Sequence, residues 1–338
     1  MKKILISLLL VISIACAQAA EKPHAVIVVG THHYSPQKTM PQFANELTRL
    51  GFRTTLINPD WDPEKGKRGL PGLEALAEAD VAIFFIRFLK LSDEQLAHIT
   101  SYLESGKPVV GLRTSTHGFN YPTGHAHHGL NLSFGKDALG TPYQVHLVGK
   151  TSVELAEGAA THPILTGVDP SATWQSPGTL YLTALEPGVE PLLRGTGKPR
   201  KPGIKKTSFG SFDLKAVMTD TIAWTWRNKW GGRTFSTSLG HVGDFTVPQS
   251  MRVMVNGVCW AAGKPVPGKN VNVQTFTPAK ATPKKAKPKK RDRSDKKAKP
   301  AKKTAPGPIG PKALLAPVNS SGLTLFYGNS FIERLQED

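Results

Sequence analysis

Short apolar runs alternate with amphipathic stretches from residue 25 to about residue 263. AVIVVG (25–30) is apolar throughout and ends in glycine, as a strand buried on both faces should read. Met40, Phe43, Leu47 and Leu50 then recur at helical spacing over 39–50, and Gly51 supplies a stop. FRTTLIN (52–58) alternates as a second strand. A weak helix over 70–79 leads into DVAIFFIRF (80–88), the strongest strand signal in the chain. Ser92 opens SDEQLAHITSYLESG as an N-cap, with Gln95 placed for half of a capping box and Leu96, Ile99 and Leu103 on one face. PVVGLR (108–113) is the fourth strand. Residues 119–220 are irregular, with strands expected near 143–149, 180–183 and 189–194. Regularity returns with TIAWTW (221–226), RTFSTSL (233–239) and a helix over 248–262. Strands alternating with helices predict an α/β domain over 23–265, its sheet mostly parallel and flanked by helices.

The two ends have a different composition. MKKILISLLLVISIACAQAA has two lysines, an apolar run and small residues at Ala17 and Ala19, the pattern of a secretory signal peptide over 1–19. Export to the periplasm or the extracellular space is expected, with no transmembrane span after leader cleavage; Cys16 offers a lipoprotein anchor as the less favoured variant. Cleavage after Ala19 would leave Cys259 as the only thiol, so no intrachain disulfide is expected and stability must come from the core. Cys259 itself reads as a buried small hydrophobe.

The net charge of +18 suggests a nucleic-acid binder until it is mapped. Residues 278–303 hold thirteen Lys and Arg against two Asp, a net of +11, which leaves +7 for everything else. The excess therefore belongs to a Lys/Pro/Ala-rich linker over 266–318, whose few apolar anchors predict disorder. No aromatics interrupt its basic run over 278–303 for base stacking, so a spacer, or a tether to a cell-envelope polyanion, is expected rather than a nucleic-acid partner. The closing segment, 319–338, reads as a strand, a turn and the first turn of a helix, like the start of a further domain.

In an open parallel sheet, ligands bind beyond the carboxyl ends of the strands. That rule gathers His32 and His33 after strand one, Arg87 after strand three, Arg113, Thr114, Ser115 and His117 after strand four, and His241 and Asp244 after the last strand. Histidine suits acid–base work near neutral pH, and arginine binds carboxylate, phosphate or hydroxyl-rich groups. Ser115 with His117 as base would make a nucleophile pair, but no G-x-S-x-G elbow surrounds them.

The blocks THHYSP, GKPVVGLRTSTHGF and TIAWTWRNKWGGRTFSTSLGHVGDF, followed by MVNGVCWAAG, resemble ThuA-like domains, the trehalose-utilisation family. The resemblance spans residues 25–263 and implies a flavodoxin-like fold of the class I glutamine amidotransferase type. It also implies a sugar-type small-molecule ligand and carbohydrate metabolism. His33 or His32 matches the family's first-loop histidine and His241 its Leu-Gly-His histidine; Arg113 stands where the family often has histidine, and His117 is a looser match. Amidotransferases carry a cysteine nucleophile at the strand-four elbow. Here that slot is Gly111-Leu112-Arg113, and arginine stays protonated, so glutamine hydrolysis by that route is excluded.

The expected chemistry is then acid–base work by His33, His241 and His117 on a carbohydrate. His32, Arg87, Arg113, Thr114, Ser115 and Asp244 would bind the ligand, with no cofactor. A non-catalytic sugar-binding module is the alternative. A third reading comes from His125-Ala126-His127-His128, whose spacing could hold zinc or nickel in a metal-dependent hydrolase. Its long glycine-flanked loop is better suited to a substrate cover. Trp224 and Trp226 alternate on one sheet face and read as core.

Overall fold

The computed structural model describes residues 21–62 and 67–277. The expectations for the leader, for the final segment and for the linker beyond residue 277 fall outside the described residues.

The domain is built on a nine-stranded sheet. In chain order its strands are β1 (His24–Gly30), β2 (Arg53–Ile57), β5 (Val81–Ile86), β6 (Val109–Leu112), β7 (Val148–Leu155), β8 (Trp174–Ser176), β9 (Glu190–Lys198), β12 (Met218–Arg227) and β13 (Arg233–Thr237). Two small hairpins lie outside it, β3 (Asp60–Asp62) with β4 (Lys67–Gly69), and β10 (Gly203–Thr207) with β11 (Gly210–Leu214). The spatial order is β2-β1-β5-β6-β13-β12-β9-β7-β8. Pairings from β2 across to β13 are parallel, and those from β13 across to β8 are antiparallel. The expected parallel sheet is thus one half of a mixed sheet, and the irregular stretch of sequence supplies much of the other half.

Alternation on β1 shows how the core divides. Ala25, Ile27 and Val29 join the cluster formed with Met40, Phe43 and Leu47 of α1 (Pro36–Arg49) and Met251 and Val255 of α4 (Pro248–Ala261). Val26 and Val28 face the opposite cluster, with Leu96, Ile99 and Leu103 of α2 (Asp93–Glu104), against which Leu130 of the short α3 (Leu130–Ser133) also packs. Each face of a continuous apolar strand therefore meets a helical layer, the arrangement that parallel strands require. Ser92 caps α2 as expected, its hydroxyl accepting from Gln95 N–H. Trp224 is core, with its indole N–H donated to the Leu139 carbonyl at 2.7 Å. Gly257 of α4 lies directly over the Phe235 ring of β13, where a methyl group would meet Cδ1 at 2.1 Å.

The domain continues past its expected end. Residues 266–277 read as part of the disordered linker by composition, yet Val273 is buried and the Phe276 ring stacks on Phe245 at 5.3 Å. Glu46 accepts from Gln274 N–H, and the Arg252 guanidinium donates to the carbonyls of Pro267, Gly268 and Val271. Two apolar anchors and these backbone ties are enough to hold a stretch that composition alone marks as linker.

Register places the carboxyl ends of the parallel strands side by side. Gly30 aligns with Ile86, Phe84 with Gly111, and Leu112 with Thr237. The segments that follow these strands emerge at one edge.

Candidate functional site

At that edge the backbone is strained. Among the described residues four non-glycine residues have left-handed φ: Tyr34 (65°), Ser35 (54°), Phe88 (52°) and Arg113 (47°). They follow β1, β5 and β6. Such conformations cost of order 1–3 kcal/mol each and gather where a site must be held in shape.

Arg113 takes the elbow position after β6, but its side chain turns inward and is 2 % exposed. Nη1 donates to the Ser238 carbonyl at 2.6 Å and Nη2 to Thr179 Oγ1 at 3.3 Å, while Nε has no partner. The guanidinium lies 4.1 Å from the Tyr34 ring centre and 4.9 Å from that of Tyr181. Burial opposes its charge, but the Tyr181 and Tyr34 phenols and Asp244 hold its pKa above the ordinary value. Arg113 is therefore an internal cation beneath Tyr34 rather than the open ligand-binding fork expected from the sequence.

Its effect is felt by the phenols. Burial raises the pKa of Tyr34, but the Arg113 charge and the hydrogen-bonding side chains of Tyr181, Arg113 and Thr179 outweigh it, and the net direction is down. Tyr181, fully enclosed, moves the other way: burial raises it well above the usual phenol range. Tyr34 is the phenol of the pair that gives up its proton first.

Around this pair stand imidazoles. The His33 ring packs on Tyr34 at 4.2 Å, and the His241 ring meets Tyr34 from another side at 5.5 Å. Burial, then the charges of Arg87 and Arg113, push His33 down to about 4. Burial and Arg113 push His241 down to about 4 as well. His241 Nδ1 accepts from Gly243 N–H at 3.1 Å, so the neutral ring carries its proton on Nε2 and can donate it to a ligand. His33 and His241 thus come together as expected, with Tyr34 between them.

His117 is a correction. It was expected as a third catalytic group, yet it is 3 % exposed, with Tyr143 at 4.2 Å and Phe88 at 5.2 Å over its ring. Burial first, then Arg87, depress its pKa well below the ordinary value. It is a neutral imidazole in the floor of the site. Thr114 and Ser115 are also corrected: Thr114 donates to the Ile86 carbonyl, and Ser115 donates to the Phe84 carbonyl while accepting from Ile86 N–H. Both are buried, and both tie the elbow to β5 rather than facing a ligand. Asp244, expected as a ligand-binding group, is 0 % exposed. Its Oδ2 accepts from Gly240 and His241 N–H and its Oδ1 from the Ser176 hydroxyl, so it fixes the loop that carries His241. His32 is exposed on the same loop as His33.

The irregular sequence hid three members. Residues 145–147 and 180–182 pair through the Leu147 N–H to the Leu180 carbonyl and the Leu182 N–H to the Val145 carbonyl, which sets His146 beside Tyr181 at 5.8 Å. Tyr143 lies at 5.5 Å from Tyr181, and its hydroxyl is 2.6 Å from His146 Nδ1. Burial, with Lys205, Arg113 and Arg87, lowers His146 to about 4, and burial raises Tyr143, so both groups are neutral at that bond. The sequence suggests strands near 143–149 and 180–183, but no sequence signal marks Tyr143, His146 or Tyr181 as members of a site. Tyr34 had one, its place next to two histidines at a strand end. The β10–β11 hairpin approaches the same cluster: Phe209 meets Tyr143 at 4.9 Å, and Lys205 Nζ reaches the His146 carbonyl at 3.5 Å.

The histidine loop is built differently. His125 stacks on Tyr121 at 4.8 Å, and its Nδ1 accepts from His127 N–H. His127 Nε2 lies 2.8 Å from Asp93 Oδ1 at the start of α2. His128 is exposed. No group of three or more His, Cys, Asp or Glu among the described residues is arranged to hold a metal ion, so the zinc or nickel reading of His125, His127 and His128 loses its third ligand. The contacts of His125 and His127 are with Tyr121 and Asp93, whereas the hairpin is the element that reaches the cluster.

A family model described as ThuA, trehalose utilisation, matches residues 25–261. Among solved structures, a thua-like protein from Parabacteroides merdae is 13 % identical, with 76 % of this chain and 98 % of that one covered and a TM-score of 0.48. Another, from Bacteroides uniformis, is 18 % identical, with 74 % and 95 % covered and a TM-score of 0.46. The glutaminase domain of the Trypanosoma brucei CTPS, with bound acivicin, is 10 % identical over 72 % and 94 %, with a TM-score of 0.37. No curated protein matches the chain.

Proposed function

The chain belongs to the ThuA family, and from that premise we propose that it is an exported protein acting on a carbohydrate or sugar derivative by acid–base chemistry at the cluster of Tyr34, His33 and His241. The observation that carries this reading is the joint placement of a phenol acidified by a buried guanidinium and two neutral imidazoles at one strained sheet edge. In the proposed chemistry Tyr34 exchanges a proton with a sugar hydroxyl, and His33 and His241 hold neighbouring oxygens by hydrogen bonds. Histidines with pKa near 4 are unprotonated at neutral pH, so they accept protons or donate neutral N–H bonds and do not serve as cationic acids. Export rests on the apolar leader; no helix among the described residues is long and apolar enough to cross a membrane.

Two chemistries fit poorly. The elbow holds Arg113 in place of a thiol, and Cys259 is buried with its pKa pushed up to about 11, which removes an amidotransferase-type nucleophile. Glycoside hydrolysis through a carboxylate pair would need two acids flanking the bond, and Asp244 is committed to backbone N–H groups. That second point favours the alternative reading, a sugar-binding module without turnover. A panel of sugars and glycosides, screened by thermal shift and then for turnover, separates them. We expect a stabilising sugar whose conversion is lost in Tyr34→Phe with binding retained, and whose binding is weakened in His241→Ala. Binding with no conversion by the wild type would replace the enzyme reading with the binding module.

A further inference from the structure

Arg87 is a site residue whose charge the proposed mechanism leaves idle. It follows β5, and its guanidinium sits 4.2 Å above the Phe88 ring. Partly buried, it makes no side-chain hydrogen bond and no ion pair with any described residue. Phe88 in turn meets the His117 ring at 5.2 Å, and the Arg87 charge acts on His33, His117 and His146, which sets it beside the cluster. Burial lowers its pKa, while the Tyr181, Tyr34 and Tyr143 phenols oppose that shift; no carboxylate is among them.

The surroundings have the same sign. Lys205 on the hairpin adds a second cation beside His146. Arg113 lies beneath with Nε unpaired, though Tyr34 and Asp244 lie close enough to offset its charge. Taking an arginine partly out of water without a counter-ion is unfavourable, and a guanidinium with five free donors is the geometry that matches a carboxylate or phosphate bidentately. A neutral sugar would leave that charge as uncompensated as it is in the free protein.

We propose that Arg87 is the anion-binding residue of this site and that the ligand is a sugar carrying a carboxylate or phosphate group, with Lys205 as the outer cation. The sugar part of this statement rests on the function proposed above; the anion part rests on Arg87 and its neighbours alone.

Isothermal titration of the full chain with D-glucose, D-glucuronate, D-glucose 6-phosphate and inorganic phosphate tests both parts. One or both charged sugars should bind at least tenfold more tightly than glucose, and Arg87→Gln should abolish that preference with the melting temperature preserved. Comparing variants within the full chain cancels any contribution of the basic tail. Preference for glucuronate or for glucose 6-phosphate tells carboxylate from phosphate. If Arg87→Gln does not fold, Arg87→Lys takes its place: it keeps the charge without the fork and should retain a weakened preference for the anion. Equal binding of glucose and the charged sugars, a preference that survives in Arg87→Gln or is undiminished in Arg87→Lys, or no binding of any probe would each overturn the proposal. Binding of inorganic phosphate alone, lost in Arg87→Gln, would keep the anion site and overturn the sugar assignment.

Discussion

Replacing Gly178 with alanine tests the placement of Arg113 directly. An alanine Cβ would lie 2.6 Å from Arg113 Nη1 and 3.0 Å from its Cζ. Neither side can yield easily. The guanidinium is held by Ser238 and Thr179 and sandwiched by Tyr34 and Tyr181. Gly178 is pinned through its N–H to Ser176 Oγ and its carbonyl to Thr151 Oγ1. Overpacking of this kind costs about 1–3 kcal/mol. Displacing the charged hydrogen bond to Ser238 adds about 1.5–3 kcal/mol, and the reduced entropy of the unfolded chain returns about 0.4–1 kcal/mol. The net loss should be about 2–5 kcal/mol, or roughly 5–15 °C in Tm for a domain of this size. Urea denaturation measures the loss, with Gly129→Ala as control because no atom lies within 4 Å of the Cβ it would gain. Ultraviolet titration of the phenols should show Tyr34 ionising at higher pH in Gly178→Ala as the guanidinium is displaced. Combining Gly178→Ala with Arg113→Met should recover part of the loss, since the two residues are in contact. A Gly178→Ala protein within about 0.5 kcal/mol of wild type would refute the packing described for Arg113.

Acid should destabilise the fold through its histidines. His33, His146 and His241 have pKa near 4 in the folded chain and near the ordinary value of 6.5 when unfolded. The unfolded state therefore binds more protons between those limits, and stability falls as pH drops from about 6.5 toward 4. His146→Asn should flatten Tm against pH in that window; an unchanged slope would place His146 in solvent. Gly257→Ala should lose about 1–3 kcal/mol by overpacking against Phe235, outweighing the roughly 1 kcal/mol that alanine gains over glycine in a helix. Circular-dichroism melts decide it, and a stabilised variant would show that α4 does not pack on β13 as described. Chelation with EDTA should leave Tm unchanged, as should His125→Ala combined with His128→Ala; a drop in either would point to a metal held by the histidine loop.

How much of this was legible depends on where each residue lies. β1, β5, α2 and α4 were plain because long apolar runs and helical spacing report burial locally. The strand-end rule then placed His33, Arg87, Arg113 and His241 at one edge. It could not tell a side chain that faces a ligand from one that holds the loop, which is why Thr114, Ser115, His117 and Asp244 looked like site residues. Hydrogen bonds to Ile86, Phe84 and the 240–241 backbone, and the rings over His117, settle that difference, and they join segments far apart in sequence.

Composition and periodicity by themselves determined that this is an α/β domain with a basic tail and a polar sheet edge, because hydrophobic periodicity reflects burial within each element. Only the tertiary structure decided that Arg113 points inward beneath Tyr34, that Tyr143, His146 and Tyr181 complete the cluster, and that Arg87 has no hydrogen-bonding or ion-pair partner among the described residues. The reason is physical. A side chain's direction, its desolvation and its charge neighbours are set by contacts between distant segments, and those contacts leave no periodic trace in the chain.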